Sequence, residues 1–388
     1  QISVNISGRF FSFVFLHCCP FTMFVWKVLF MIAIMGYAMA QRSSVAVMRS
    51  TTNANSGISG TVHFTETGSG EVLVEVSLSG LSVSAEQLGI HLHNWGDISD
   101  ASGSAAGPHW IGSGSSSHGC PPSSNRHEGD LGSWTVSNGR IEQSKTLDLV
   151  TLSGSTSVVG RGVILHDIAD PCDDTSTGAR IAMGVIGISN EDSNQARQGE
   201  NPEHLICHLQ GTSNCPDCSG TVWFQDEGSF ITVTAQLSGL SQGSVHGIHI
   251  HEFGDITDEQ LGTSLGSHYN PDDSDHGLPF TSNRHEGDMG NVQSYDTDNT
   301  AWYRLENSQI SSTGSIAGRG IVVHEGVDNG NGFACGSSGN SGSRYAICVI
   351  GVASDDITVP SPPIFVDNSF EANDCEDPNV TNDDDDAT

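Results

Sequence analysis

Positive charge is what this sequence lacks most. Its 388 residues carry 14 Lys and Arg against 46 Asp and Glu, a formal net charge of -32. That balance argues against nucleic acid as a partner, because neutralising phosphates takes clustered Lys and Arg. Long apolar runs are also scarce. Apolar residues come mostly in short stretches broken by Gly, Ser, Asn and Asp, with Gly alone counting 46. This pattern favours many short strands over long helices. The chain is long enough for two ordinary domains, each with its own core.

The amino terminus reads differently from the rest. Met23 opens a stretch with one basic residue, Lys27, an apolar run Val28–Met35 and then Ala38-Met39-Ala40 before Gln41. This is the layout of a secretory signal peptide over 23–40. Residues 1–22 begin with Gln and read as upstream, non-native sequence. The rival is a membrane anchor made of both apolar stretches, but His17, Cys18, Cys19, Pro20 and Lys27 interrupt the roughly 20 apolar residues a bilayer needs. Removing residues 1–40 takes away Arg9 and Lys27 and no acidic residue, leaving 12 basic residues against 46 acidic ones, a net of -34. The expectation is an acidic, secreted, extracellular protein with no membrane contact after signal removal. Eight cysteines remain, an even number suited to disulfides in an oxidising compartment.

The chain repeats itself. Gly89-Ile90-His91-Leu92-His93 returns as Gly247-Ile248-His249-Ile250-His251, and Asn125-Arg126-His127-Glu128-Gly129-Asp130 as Asn283-Arg284-His285-Glu286-Gly287-Asp288. Gly160-Arg161-Gly162 and the strand signal ending in His166 return as Gly318-Arg319-Gly320 and His324. Each pair shares one offset, 158 residues (249 − 91), which marks duplicated whole domains, since solenoid repeats run about 20 to 50 residues. Strand signals in the first copy are Val45–Met48, Gly60–Phe64, Val72–Leu78, Ile90–His93, Val158–His166 and Ile181–Ile188. In the second they are Leu205–Leu209, Gly220–Phe224, Ile231–Leu237, Ile248–His251, Ile316–His324 and Tyr345–Val352. The expected fold is all-β, two tandem eight-stranded Greek-key barrels related to immunoglobulin-like sandwiches, over 42–188 and 204–355. A polar linker, 189–203, joins them, and 356–388 reads as an acidic disordered tail ending in Asp383–Asp386.

The histidines carry the chemistry. In a strand, residues two apart face one side, so His91 with His93, and His249 with His251, are able to point at one ion. His109, His118, His127 and Asp130 follow in a loop, as do His268, His276, His285 and Asp288. Three imidazoles and a carboxylate make a closed tetrahedral set for zinc, and several imidazoles with an open position suit copper.

At these residues the chain resembles the copper/zinc superoxide dismutases. The matching motifs are Gly-Ile-His-x-His followed by Trp95-Gly96-Asp97 or Phe253-Gly254-Asp255, then Gly107-Pro108-His109 or Gly266-Ser267-His268, His-Gly at His118 and His276, Arg-His-Glu-Gly-Asp, and the Gly-Arg-Gly strand ending in His. The resemblance implies copper ligands His91, His93, His109 and His166 in the first copy and His249, His251, His268 and His324 in the second. It implies one Cu and one Zn per domain, with His109 and His268 shared between the metals. The other zinc ligands would be His118, His127 and Asp130, then His276, His285 and Asp288. Asp170 and Asp328 would tie the two metal sites together. Arg180 and Arg344 match the channel arginine that docks superoxide, the implied substrate, beside copper.

Departures accompany the match. From the last copper His to the arginine is 14 residues in the first copy and 20 in the second, a shortened loop whose usual lysine is replaced by Ile168 and Gly326. The disulfide usual in the family would join Gly103 to Met183 and Gly262 to Ile347, and all four positions lack cysteine. Cys348, one residue on, should face the other way. Cys120 and Cys172, the two cysteines of the first copy, are therefore expected to bond to each other. Pairing among Cys207, Cys215, Cys218, Cys335, Cys348 and Cys375 stays open. Cys215-Pro216-Asp217-Cys218 suits a structural disulfide better than a redox pair, and Asn379-Val380-Thr381 is a glycosylation acceptor motif. The alternative function is an acidic matrix or mineral-associated metal binder, with extracellular contacts through its tail. A pseudo-dimer of the two domains and a homo-oligomer are both compatible with the sequence.

Overall fold

Alternation is the local cause of the sheets. Along Val72–Ser79 the residues Val72, Val74, Val76 and Leu78 are buried while Glu75 and Ser77 are exposed, as one face of a pleated strand requires. The computed structural model describes residues 41–55, 57–192, 201–279, 281–294, 300–330 and 339–362. It also describes the backbone of a hairpin, β1 (Ile2–Ile6) and β2 (Arg9–Phe13), paired antiparallel. The expected signal peptide, most of the tail and the middle of the linker lie outside the described residues.

The first barrel contains β3 (Ser43–Ser50), β4 (Ser59–Glu66), β5 (Val72–Ser79), β6 (Gln87–His93), β7 (Asp130–Thr135), β8 (Ile141–Leu147), β9 (Gly162–His166) and β10 (Arg180–Ile188). Their spatial order is β7-β6-β9-β10-β3-β4-β5-β8. The second has β11 (His204–Gly211), β12 (Ser219–Asp226), β13 (Ile231–Ser238), β14 (Val245–His251), β15 (Asp288–Gln293), β16 (Thr300–Asn307), β17 (Gly320–His324), β18 (Arg344–Val349) and the short β19 (Gly351–Val352). Its order is β15-β14-β17-β18-β11-β12-β13-β16, with β19 beside β11. All these pairs are antiparallel, and the jumps in order are the crossovers of a Greek key. The barrels are nearly closed. Across the first seam Lys145 Nζ, lying over the Trp134 ring, donates to the carbonyls of Leu131 and Ser133 at 3.2 and 2.7 Å. Across the second, Tyr303 Oη donates to Met289 O at 2.5 Å.

Each barrel has its own apolar core. Phe64, Leu78, Leu88, Ile90, Leu92, Trp134 and Ile141 fill the first, and Phe224, Val233, Ile250, Tyr303 and the Cys207–Cys348 disulfide fill the second. The barrels meet through reciprocal backbone bonds. Gly96 N donates to Val352 O and Val352 N to Gly160 O, while Gly254 N donates to Ile188 O and Ile188 N to Gly318 O, all at 2.7–2.9 Å. A β-carbon on Gly187 would lie 2.0 Å from Gly254 O, so glycine is required for so close an approach. His208 Nε2 and Asp97 Oδ1, 3.0 Å apart, add a side-chain contact between the barrels.

Several sequence expectations need correction. The strands expected from Val158 and Ile316 begin at Gly162 and Gly320, because Arg161 N and Arg319 N fold back to Val158 O and Ile316 O. Thr313–Ile316 is a short helical turn. The strands β7, β8, β15 and β16 had no assignment. Asp130 and Asp288 accordingly open strands and do not sit in loops.

Candidate metal centres

In β6 the core side takes Ile90 and Leu92, which turns His91 and His93 to the opposite face, where both are buried beneath loops. His166, the last residue of β9, and His109, bridged to His93 in the backbone, join them. The rings of His91 and His109 stack at 4.1 Å between centroids. One nitrogen of each strand histidine is committed outward. His93 Nδ1 faces Gly107 O at 2.7 Å, His166 Nδ1 faces Gly178 O at 3.4 Å, and His91 Nε2 faces Asp170 Oδ2 at 3.0 Å. The inward nitrogens, His91 Nδ1, His93 Nε2 and His166 Nε2, are buried without a hydrogen-bond partner. Buried acceptors are almost always paired, so these nitrogens fit bound cations: those of His93 and His166 converge with His109, whereas His91 converges with His109, His118 and Asp130.

The second barrel makes the point more sharply. His251 Nδ1 and His324 Nδ1 face Gly266 O and Gly342 O at 3.0 and 3.2 Å, which fixes the ring protons there. Their Nε2 atoms then carry bare lone pairs 3.4 Å apart. Burial pushes both imidazoles well below their ordinary pKa, so a proton between them is disfavoured and a metal ion suits them. His249 Nδ1 and His268 Nε2 complete this group, buried and unpartnered.

Beside each imidazole group lies a second one built on a carboxylate. Asp130 Oδ1 is 3.1, 2.9 and 3.2 Å from Nδ1 of His109, His118 and His127. Asp288 lies 2.9, 2.9 and 3.1 Å from Nδ1 of His268, His276 and His285. The remaining oxygen positions are held by backbone N–H groups of Gly119 and His127, or Gly277 and His285, at 3.0–3.1 Å. Nδ1 of His118 and of His276 has no aligned hydrogen bond despite its carboxylate neighbour, the geometry of ligands converging on a third centre. Three nitrogens and one oxygen suit zinc.

One carboxylate ties the two groups in each barrel. Asp170 reaches His118 Nε2 at 2.7 Å and His91 Nε2 at 3.0 Å. Asp328 reaches His276 Nε2 and His249 Nε2, both at 2.8 Å. Such partners fix ring orientation.

A family model for copper/zinc superoxide dismutase matches residues 58–186 and 218–350. The chain belongs to the copper/zinc superoxide dismutase family. A relative from Dictyostelium discoideum, named extracellular superoxide dismutase [Cu-Zn] 3, is 31% identical over 242 residues, covering 56% of this chain and 58% of its own length. The extracellular superoxide dismutase [Cu-Zn] of Caenorhabditis elegans is 40% identical over 154 residues, covering 37% of this chain and 68% of its own length. Among solved structures, the clock protein EA4 shares 32% identity with a TM-score of 0.35, over 40% of this chain and 99% of that one.

Electrostatics divide this dismutase-family site in two. Burial holds His91 down at about 4, against the pull of Asp170, and holds His166 and His268 at about 3. Burial also opposes charge on His118 and His276, but their paired aspartates win and hold them up at about 10 and about 9. Asp130, Asp170, Asp288 and Asp328 stay well below the usual carboxylate range because hydrogen bonds from the histidines outweigh burial.

Arg180 stands beside the group His93, His109 and His166, and Arg344 beside the group His249, His251, His268 and His324. Arg180 donates through Nη1 to Gly103 O and through Nη2 to Gly107 O, the oxygen that also faces His93. Arg344 does the same at Gly262 O and Gly266 O, the latter shared with His251. Cys120 and Cys172 are joined at a sequence separation of 52, and Cys215 is joined to Cys218. Where the family cross-link would lie, Met183 and Ile347 pack into small apolar clusters with Ala106 and Leu265. Sequence reasoning gave no role to Glu128 and Glu286, which are buried and accept from Ser113 and Thr151, or from Ser311 and Ser315. They brace the loops carrying the histidines, and their place in a repeated sextet was the available signal.

Proposed function

We propose that this chain is a secreted superoxide dismutase with two complete sites, each holding one copper and one zinc. The observation that carries the reading is that each barrel turns a group of buried imidazole nitrogens inward, several of them unpartnered, with an arginine beside the group. His91, His93, His109 and His166 would hold the first copper, and His249, His251, His268 and His324 the second. His118, His127 and Asp130, then His276, His285 and Asp288, would hold zinc together with the shared His109 and His268. Copper, when bound, supplies the one-electron couple by which one superoxide gives up an electron and another accepts it, two protons being consumed to form peroxide.

The chain's own residues supply the rest. Arg180 and Arg344 keep a fixed positive charge where an anion approaches, which matters in a protein of net charge -32. His109 and His268 hold Nδ1 against Asp130 or Asp288, leaving Nε2 as the atom able to carry a proton toward the substrate. Asp170 and Asp328 keep the neighbouring rings from rotating. The names of the curated relatives and the signal-like segment 23–40 support secretion, and the reciprocal bonds between barrels support an internal pseudo-dimer. Copper and zinc per chain, measured together with superoxide consumption, test the reading. Two of each with fast turnover supports it, and metal without turnover favours the matrix or mineral-associated alternative.

A further inference from the structure

The turn between β3 and β4, and its counterpart between β11 and β12, hold both arginines from behind. Thr51 Oγ1 donates to Arg180 O at 2.6 Å, and Asn53 Nδ2 donates to the same oxygen at 3.1 Å. Thr212 Oγ1 and Asn214 Nδ2 repeat this on Arg344 O at 2.6 and 3.1 Å. The ladders explain the need. Pairing of β10 with β3 ends at Ala182 opposite Ser50, and a bulge separates Arg180 from Ala182. Pairing of β18 with β11 ends at Ala346 opposite Gly211. Each arginine carbonyl therefore lies past the last pair and takes its donors from side chains.

The same turns grip the loops that receive the guanidinium groups. Thr52 N donates to Ala101 O at 2.9 Å, two residues before Gly103, and Ser213 N donates to Gln260 O at 2.8 Å, two residues before Gly262. One turn thus touches the arginine's backbone and the loop that cradles its side chain. The turns otherwise differ, and the second is closed by the Cys215–Cys218 disulfide, yet both keep Thr-x-Asn. Gly103 and Met183, the places of the missing family cross-link, meet only by packing, a β-carbon on Gly103 lying 3.6 Å from Met183 Sδ.

We propose that Thr51 and Asn53, and Thr212 and Asn214, are positioning residues that fix Arg180 and Arg344 against the loops 99–107 and 257–266 by hydrogen bonds. The inference rests on the anion route given under Proposed function, and its test separates the two. The full chain, loaded with copper and zinc, is compared with Thr51→Val/Asn53→Ala/Thr212→Val/Asn214→Ala and with Thr51→Ser/Thr212→Ser. Azide affinity is read from the copper absorbance, and superoxide consumption is read against ionic strength.

The fourfold variant should bind azide at least fivefold more weakly and lose rate mainly at low salt, with copper and zinc content unchanged, and the serine variant should match the parent. Unchanged azide affinity overturns the proposal. So does loss of metal in step with loss of affinity, which would mean a merely structural role. If the parent binds azide but consumes no superoxide, the functional reading fails while the azide comparison still decides the positioning role.

Discussion

Leu278 packs over Gly330, such that a β-carbon on Gly330 would come within 3.0 Å of Leu278 Cγ. The same two places in the first barrel are Cys120 and Cys172, bonded to each other. Cys172 N donates to Asp170 Oδ1 at 2.9 Å, and Gly330 N donates to Asp328 Oδ1 at 2.8 Å. Both residues have positive φ, 63° and 72°. The junction between the loop carrying His118 and the one leading to Arg180 is therefore covalent, and that between the loop carrying His276 and the one leading to Arg344 is an apolar contact, each built against the aspartate that binds the neighbouring histidines.

Removing the covalent junction should affect one barrel. Closing a loop with a sequence separation of 52 contributes roughly 4 kcal/mol in the chain-entropy account. Cys120→Ser/Cys172→Ser should lower the unfolding temperature of the first barrel and speed zinc release from it to a chelator. The second barrel, with Cys207–Cys348 intact, should be unmoved. Calorimetry with zinc-release kinetics checks this, and equal loss from both barrels would contradict it.

The arginines should govern rate rather than metal content. Arg344→Glu reverses the fixed charge beside the imidazole group of the second barrel, and Arg180→Glu does so in the first. Each single change should remove most of one barrel's turnover, and the double change should slow the chain about tenfold or more, equivalent to roughly 1.4 kcal/mol. The double variant should also invert the salt dependence. Copper and zinc by mass spectrometry should match the parent, and undiminished turnover in the double variant would rule out this route for the anion.

His268 belongs to both groups of the second barrel, so His268→Ala should loosen two metals at once. The expected result is loss of about half of the chain's copper and zinc affinity sites, with the first barrel's unaffected. Metal titration followed by absorbance measures it. Loss from both barrels would show that the sites are coupled across the glycine-lined contact between them.

What the sequence disclosed was what local chemistry writes in short segments. His91 and His93 declare a shared face by spacing alone, and the 158-residue offset repeats the whole set. The strand β8 was illegible because only its ends, Ile141 and Leu147, are buried, which leaves no alternation to detect. β7 carries Gly132 at φ 73° and opens on Asp130, both of which read as loop. The Cys207–Cys348 bond spans 141 residues and joins strands that become neighbours only through the crossovers. Arg161 and Arg319 are buried against the rings of Trp110 and Tyr269, a packing that a Gly-Arg-Gly motif does not announce.

The metal-free protein should be most stable near pH 6.5. His91 is held at about 4 and His166 and His268 at about 3, burial being the first cause in each, whereas an unfolded imidazole titrates near 6.5. Between those limits the unfolded chain binds more protons than the folded one, so acid destabilises, each group contributing roughly 1.4 kcal/mol per pH unit. His118 and His276 act in the opposite sense. Although burial opposes it, their aspartates raise them to about 10 and about 9. Their contribution is complete below 6.5 and is lost as pH rises through those values. Zinc in place of those protons should abolish the alkaline decline, and zinc uptake near pH 8 should release protons because the ligand rings must give them up. Denaturant unfolding from pH 4 to 10, with and without metal, reads the first effect, and calorimetry in buffers of different ionisation heat reads the second. A metal-free protein more stable at pH 5 than at 6.5, or zinc uptake at pH 8 without proton release, would contradict this account.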